Sequence, residues 1–514
     1  MKNIWKPLLF TVLLSGSACT ANYLEINSNP YQPDKDQMQA DGYLLGATMS
    51  GIMSGVISTD VNTAQFTDCL LGGTQGGYFA DSNAEQRNTI SNYNPTDNWT
   101  NVFMASDFVI PTLYSNLREL KEQTDDPVIL AIADVIKVAA MHRVTDTYGP
   151  IPYSQIGADG QLQVPYDSQK AVYDKFFEEL NAAIDVLTAN RSVTIASSAD
   201  NIYGGSAEKW CKFANSLKLR LAMRIRYVEP DLALQYAQEA IEGGVITSTD
   251  ENALLQTYRQ ITVTNPLEMI WNSYNDARMG ASMDSYLNGY EDPRREKMFQ
   301  PATITGGGFH GVVNGLGSTE QKFYTKMSAP NIFGETPMRW LLASEVAFLK
   351  AEFKLLKGDK SGAKSDYEEG IRLSFLENGL SASDAADYAQ SMKTPARFID
   401  MSENPTKYSK NALGTVSVKW AEDGNELERI ITQKWIALYP NGMEAWAEFR
   451  RTGFPKLFPI NENSNDPSID KNKQIRRVIF PKSEYANNAG AVNAATRLLG
   501  GPDSGGTRLW WDAR

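Results

Sequence analysis

Two stretches of this chain repeat a spacing that commits them to helices crossing at close range. In one, Ala351, Ala363, Tyr367 and Gly370 stand 12, 4 and 3 positions apart. That places small residues on the facing stripes of two antiparallel helices joined by a short turn. In the other, Leu217 and Leu221 precede Ala233, Ala237 and Ala240 in the same relation. A segment that buries its apolar residues every 3.6 positions cannot serve as a strand, whose side chains alternate. The chain is therefore a packing of helical hairpins.

The remaining helix signals agree. Asn98–Leu120 reads as a helix capped by Asp97 and kinked or split by Pro111. Pro127 opens a helix whose stripe of Ile129, Ile132, Val135, Ile136, Ala139 and Val144 ends at Tyr148-Gly149-Pro150. Helices follow at Ser168–Ala189, Ser206–Tyr227, Asp231–Glu242, Pro337–Lys357, Ser361–Asn378, Ala382–Met392, Glu426–Tyr439 and Gly442–Arg450. Residues 43–66 read as a buried helix with Gly51 and Gly55 at close contacts, and Leu70–Asn83 as a glycine-rich loop with an exposed Tyr78–Phe79 pair. The segment 250–335 is an irregular insertion rich in Gly, Asn, Tyr and Thr, with a short extended stretch at Leu254–Tyr258. The last 60 residues read as mostly coil, with a short strand at Arg477–Phe480. Helix pairs in this order suit tetratricopeptide-like units or an ordinary bundle equally well.

Composition narrows the function. Hydrophobic residues make up 42% of 514, too many for a disordered chain. Three cysteines cannot staple a scaffold, and two histidines, His142 and His310, offer little for a multi-histidine metal site. Forty-nine basic against 61 acidic residues argue against a nucleic-acid binder. Residues 1–18 form a signal peptide: Lys2 and Lys6, the apolar Leu8–Leu14, then Gly16, Ser17 and Ala18 before Cys19. The small-small-Cys ending looks like a bacterial lipobox, with Gly16 where leucine is usual, and makes Cys19 the lipidation site. Removal of two lysines leaves 47 basic residues against 61 acidic, a net charge of −14. Residues 19–42 then form a polar tether, and the length beyond it allows one large domain or two to four ordinary ones. Cys69 and Cys211 are left either to pair or to sit as small buried groups.

Several segments are familiar together: Tyr23-Leu-Glu-Ile-Asn27; Asp146-Thr-Tyr-Gly-Pro-Ile-Pro-Tyr153; the run from Trp210; Asp292-Pro-Arg294; Glu345 with Ala351-Glu352; Gln433-Lys-Trp435; Glu444-Ala-Trp446; Arg450-Arg-Thr-Gly-Phe-Pro455; and Arg477-Val-Ile-Phe-Pro481. In this order, along nearly the whole chain, they resemble the SusD/RagB family of surface nutrient-binding lipoproteins, its SusD-like subgroup in particular. The resemblance implies a single domain over 43–514, with an all-α, SusD-like fold of four tetratricopeptide-like helix pairs and long irregular loops carrying a few short strands. It implies an outer-membrane lipoprotein, exposed on the surface of a Bacteroidota cell and held through its lipid anchor. Its partners would be a SusC-like TonB-dependent transporter and an oligosaccharide or peptide. The helix pairs would face the barrel and the insertions would build the ligand face.

Most of the matched motifs have structural work. Asp146–Tyr153 is turn chemistry, Asp292–Arg294 a cap or internal salt bridge, Trp210 core, and Arg450 or Arg451 stacks on Trp446 or pairs with a carboxylate. Ligand chemistry belongs instead to aromatics in Gly/Asn-rich loops. Sugar rings stack their C–H faces on aromatic rings, and their hydroxyls need Asp, Asn, Gln or Arg. Three stretches supply that mixture, 68–81, 271–278 and 306–314, and they nominate Tyr78, Trp271, Tyr274, Asn275, Arg278 and His310. The bland alternative is that these residues pack their own loops.

No HExxH, GxSxG or Walker A spacing is present, and the expectation is no enzyme, no cofactor and no metal. The acidic runs at 250–251 and 422–426 lack the alternation of a calcium loop. A helical glycoside hydrolase would need paired carboxylates, for which Glu178-Glu179 and Glu368-Glu369 are better read as solvated faces. A repeat scaffold that binds only protein is the third possibility.

Overall fold

The computed structural model describes residues 43–83, 90–103, 109–157, 163–257, 263–316, 321–402, 405–460 and 467–514. The signal peptide, Cys19 and the tether lie outside the described residues, as does Tyr258.

Four helix pairs stand among the described residues: Pro127–Tyr148 with Gln169–Ala189, Ala207–Arg224 with Pro230–Gly243, Ala343–Leu356 with Lys360–Glu377, and Glu426–Ala437 with Gly442–Thr452. Their starts are written in side chains. The Asp126 carboxylate accepts from the Val128 and Ile129 amides ahead of Pro127, Ser168 from Ala171, Ser206 from Lys209 and Asp359 from Gly362. Each such cap contributes about 1 kcal/mol. Gly149, at φ 88°, stops the first helix.

The small-residue stripes lie where the helices cross. Ala351, Ala363, Tyr367 and Gly370 are fully buried, and a Cβ on Gly370 would stand 2.7 Å from the Phe348 ring. Leu217, Leu221, Ala233, Ala237 and Ala240 are buried likewise. Trp210 is fully buried, its indole donating to Asp200 at 2.7 Å. Gly51 and Gly55 are close contacts, against the side chains of Asn116 and Leu113.

Charges as well as apolar groups join the pairs. Arg451 forks onto Glu352 at 2.7 and 2.8 Å and reaches Glu448 at 2.7 Å. Glu448 also meets Arg224 at 3.4 Å and Lys434 at 3.2 Å. Arg224 continues to Glu444 at 2.6 Å and Asp146 at 3.4 Å. This network is sealed from water and ties five helices together. Arg450 stacks on Trp446 at 3.5 Å, and Arg294 pairs with Asp292 at 2.6 Å. Both motifs are structural, as their chemistry suggested.

Four expectations are corrected. Pro337–Lys357 is not helical throughout: Met338–Leu341 is a strand, antiparallel to Ala253–Leu255, and the helix begins at Ala343. The strand buries Met338, Trp340 and Leu341 behind the fixed φ of Pro337. Arg477–Phe480 forms no ladder; the Val478 amide donates to Thr147 and the Arg477 guanidinium to Tyr148, at the end of the first helix. The described tail is otherwise mostly coil, as expected, with short helices at Lys482–Asn487 and Ala489–Leu498. The helix expected over 98–120 is split, one of the two outcomes expected: helices span Asp97–Asn101 and Ile110–Gln123, with Pro111 in the first turn of the second; the correction is the cap, where Thr96 rather than Asp97 holds the position. Finally, residues 43–83 are not one helix and a loop. A helix at Tyr43–Met53 is followed by Val61–Ala64, a π-helix at Gln65–Gly73 and a strand at Phe79–Asp81.

Candidate ligand-binding face

The Phe79–Asp81 strand pairs antiparallel with Ala277–Met279, setting Ala80 opposite Arg278. A second π-helix, Met269–Ser273, leads into the latter strand through Tyr274 and Asn275. Asn275 takes a left-handed φ of 59°, a conformation asparagine tolerates better than most residues. That turn throws Asn272, Ser273 and Tyr274 outward.

Arg278 holds this loop from inside. Its buried guanidinium donates to the carbonyls of Trp271 at 2.9 Å, Ala277 at 2.7 Å and Thr325 at 2.8 Å, and to the Asn275 side chain at 3.1 Å. No carboxylate lies within 4 Å of it among the described residues, and burial lowers its pKa to about 10. From the other side the Asn83 amide donates to the Tyr274 carbonyl and to Asp276, each at 3.0 Å, and Ser82 donates to the Asn275 carbonyl at 2.6 Å. Gln65 donates to the second Asp276 oxygen. Burial raises the Asp276 carboxyl, while the bonds from Gln65 and Asn83 oppose that rise.

This scaffold presents an aromatic edge. Tyr274 and Phe333 are each 37% exposed and Met269 is 45% exposed. Trp271 lies behind them, its indole donating to the Ile332 carbonyl at 2.7 Å and its ring edge-to-face with Phe333 at 6.0 Å. Beside Met269, Asn272 and Ser273 opens a cleft of about 510 Å³, walled on its other sides by Ser50, Thr59 and Asn265. Apolar ring faces beside amide and hydroxyl groups are the combination a sugar or an extended peptide requires.

The nominated residues therefore divide. Trp271, Tyr274, Asn275 and Arg278 belong to one loop, in which Tyr274 faces outward, Asn275 is half-buried, and Trp271 and Arg278 support from within. Tyr78 is a correction: it and Phe79 are fully buried. The Tyr78 hydroxyl donates to the Trp435 carbonyl, and its ring packs on Trp435 and Tyr439. The glycines around it serve close backbone approach, not exposure. Asn83, Met269 and Phe333 lie outside the three nominated stretches, and no local pattern in the sequence marks them.

His310 sits half-buried on the neighbouring glycine-rich loop, tied to the same sheet through Ser328, which bonds both His310 and Met279. Its Nε2 donates to the Gly307 carbonyl at 3.0 Å, and burial lowers its pKa. Under this loop Asp284 accepts from the Gly311 amide at 2.7 Å and from Asn288 at 2.9 Å. Burial raises the Asp284 pKa to about 7, against opposing bonds from Gly311 and Asn288. Because the folded value exceeds the unfolded one, its contribution is favourable at low pH and declines as pH rises from about 4 to about 7. Denaturation at pH 5 and pH 8 should show Asp284→Asn losing about 2–3 kcal/mol less between the two than the parent chain. Parallel losses would remove Asp284 from the account.

Cys69 and Cys211 are both buried and form no disulfide. No group of three or more His, Cys, Asp or Glu that could hold a metal occurs among the described residues. The paired acids are engaged in ion pairs: Glu179 with Lys137, Glu178 with Lys175, and Glu369 with Arg372. No described helix is long and apolar enough to cross a membrane.

Residues 25–512 match the family model of SusD-like proteins, described as SusD and RagB outer membrane lipoproteins. Among solved structures, a SusD homologue from Bacteroides uniformis is 44% identical, with a TM-score of 0.86 over 92% of this chain and 100% of its own. A SusD homologue from Bacteroides thetaiotaomicron is 37% identical, with a TM-score of 0.85 over 91% and 99%. A chitin-binding SusD homologue from Flavobacterium johnsoniae is 33% identical, with a TM-score of 0.85 over 91% and 99%. No curated protein matches. A family match over nearly the whole length, together with the four helix pairs, places this chain in the SusD-like family of outer-membrane lipoproteins.

Proposed function

We propose that this protein binds an oligosaccharide at the cell surface, on the face built by Tyr274, Asn275, Asn83 and Phe333, and passes it to a SusC-like TonB-dependent barrel. The carrying observation is an exposed aromatic, Tyr274, on a loop that a buried arginine fixes from beneath and whose Asn272 and Ser273 line a cleft of about 510 Å³. A solvated loop with no binding task has little need of such an anchor, since ordering it costs conformational entropy. The chitin-binding relative supports a glycan as ligand. Lipidation at Cys19 would anchor the chain to the outer membrane, and the tether 19–42 would give it reach.

The test is calorimetric titration with chito-oligosaccharides, other glycans and peptides. One glycan class should bind, and Tyr274→Ala should weaken it about tenfold, the loss of one stacking contact. Binding of peptides alone would move the reading to a peptide-uptake protein of the same type. An unchanged affinity in Tyr274→Ala would remove this face. Co-purification of a TonB-dependent barrel from the native host tests the hand-over, and failure to recover one would count against it.

A further inference from the structure

Behind the candidate face, across the wall formed by Asn265 and Pro266, lies a second cavity of about 260 Å³. Asn265 is pinned there, its amide donating to the Gly334 carbonyl at 2.9 Å and its side chain to the Thr336 carbonyl at 3.0 Å. The cavity is apolar over Ile57, Leu267, Met298, Ile332 and Pro440, and two cations line it, Arg339 and Lys297. The Arg339 guanidinium reaches the Tyr439 carbonyl at 3.3 Å, the Glu377 carbonyl at 3.2 Å and the Asn378 side chain at 3.3 Å. All three of those residues line the cavity, so the guanidinium itself forms part of the wall.

Its bonding is incomplete in a specific way. Five N–H groups serve three acceptors, all at the long end of the hydrogen-bond range. Neither Arg339 nor Lys297 has a carboxylate within 4 Å among the described residues. The two acids in the lining are committed elsewhere. Asp68 receives Arg143 and Thr67. Glu377 accepts from Ser344 and Asn252, and burial raises its pKa. Burial lowers the Arg339 pKa, with Glu377 and Tyr439 opposing. A planar guanidinium with donors to spare, in an apolar recess, favours a carboxylate, which can take two parallel bonds at once. The volume lies just below the usual range for small-molecule sites, about 300–1,000 Å³, which points to a compact ligand.

We propose that this cavity binds a compact monocarboxylate of monosaccharide size, its carboxylate on Arg339 and Lys297 and its body against Leu267, Met298 and Ile332. The site does not depend on what Tyr274 binds. A uronate sugar and a short organic acid share this chemistry, so both are titrated into the full chain: glucuronate against neutral glucose, and hexanoate against neutral hexanol. At least one acid should bind saturably, with its neutral counterpart at least tenfold weaker, and the acid that binds names the source. Arg339→Gln should abolish the response. If that variant fails to fold, Arg339→Lys and Lys297→Gln carry the test. The first keeps the charge but loses the fork, and the second removes an exposed charge with no ion pair to break; each should weaken the acid several-fold. No saturable response to either acid, equal binding of acid and neutral forms, or full affinity in both Arg339→Lys and Lys297→Gln would overturn the proposal.

Discussion

Glu448→Ala should cost about 3–5 kcal/mol of stability, the range found when one partner of a buried ion pair is removed. The size follows from what would be left. Glu448 is 2% exposed and meets three cations from three helices: Arg224, Lys434 and Arg451. Arg451 would keep Glu352, and Arg224 would keep Glu444 and Asp146. Lys434 is fully buried and has no other carboxylate within 4 Å among the described residues, so its ammonium would be stranded without water or counter-charge. Burial by itself would raise the Glu448 carboxyl, but Arg451, Lys434 and Arg224 outweigh it and hold the group well below the ordinary range. Its stabilising effect is therefore complete above the unfolded value near 4.3 and declines only as pH falls below that. Denaturant melts at neutral pH measure the loss. Adding Lys434→Met to Glu448→Ala should recover at least half of it, because the stranded charge goes with the lysine. A single variant within 1 kcal/mol of the parent would show that the network tolerates an unpaired cation.

The helix pairs were legible because they rest on local chemistry: stripes at 3.6 spacing, caps such as Asp126, Ser168 and Ser206, and, in the two pairs at 207–243 and 343–377, small residues where the helices cross. What could not be read depended on residues far away in the chain. Met338–Leu341 is apolar enough to pass for the first turn of the following helix, and only its partner Ala253–Leu255 makes it a strand. Tyr78 sits among glycines, and glycines near an aromatic suggest an exposed loop. Here Gly72 and Gly76 instead let the backbone touch Gly442, which carries Tyr78 into the core. Arg278 reads as a ligand contact in a loop, yet its task of binding the carbonyls of Trp271, Ala277 and Thr325 exists only once the sheet with 79–81 has formed. Asn83 and Phe333 complete the face from elements distant in sequence, and no local pattern links them to Tyr274.

The same glycine contact gives a second test, one that connects scaffold and site. A Cβ on Gly442 would stand 2.4 Å from both the Gly72 carbonyl carbon and the Gly73 amide nitrogen. Both are backbone atoms, so no side chain can swing aside, and the Gly442–Thr452 helix must move away from the Gln65–Gly73 π-helix. Overpacking of this kind costs about 1–3 kcal/mol where side chains can yield, and the upper end or more is expected where they cannot. The displaced π-helix runs directly into the site. The Gly76 carbonyl accepts the Trp435 indole at 2.7 Å, Tyr78 donates back to the Trp435 carbonyl, and the next three residues are the strand that pairs with Arg278. Gly442→Ala should therefore lower stability by about 3 kcal/mol and also weaken whatever ligand Tyr274 contacts. Gly490, exposed in the Ala489–Leu498 helix with nothing within 4 Å of its Cβ position, is the control. There alanine should be neutral or stabilising by up to about 1 kcal/mol, the helix-propensity gain alone. Equal melting of the two variants would mean that the two backbones do not meet as closely as described, and that the strand beneath Tyr274 is positioned without them.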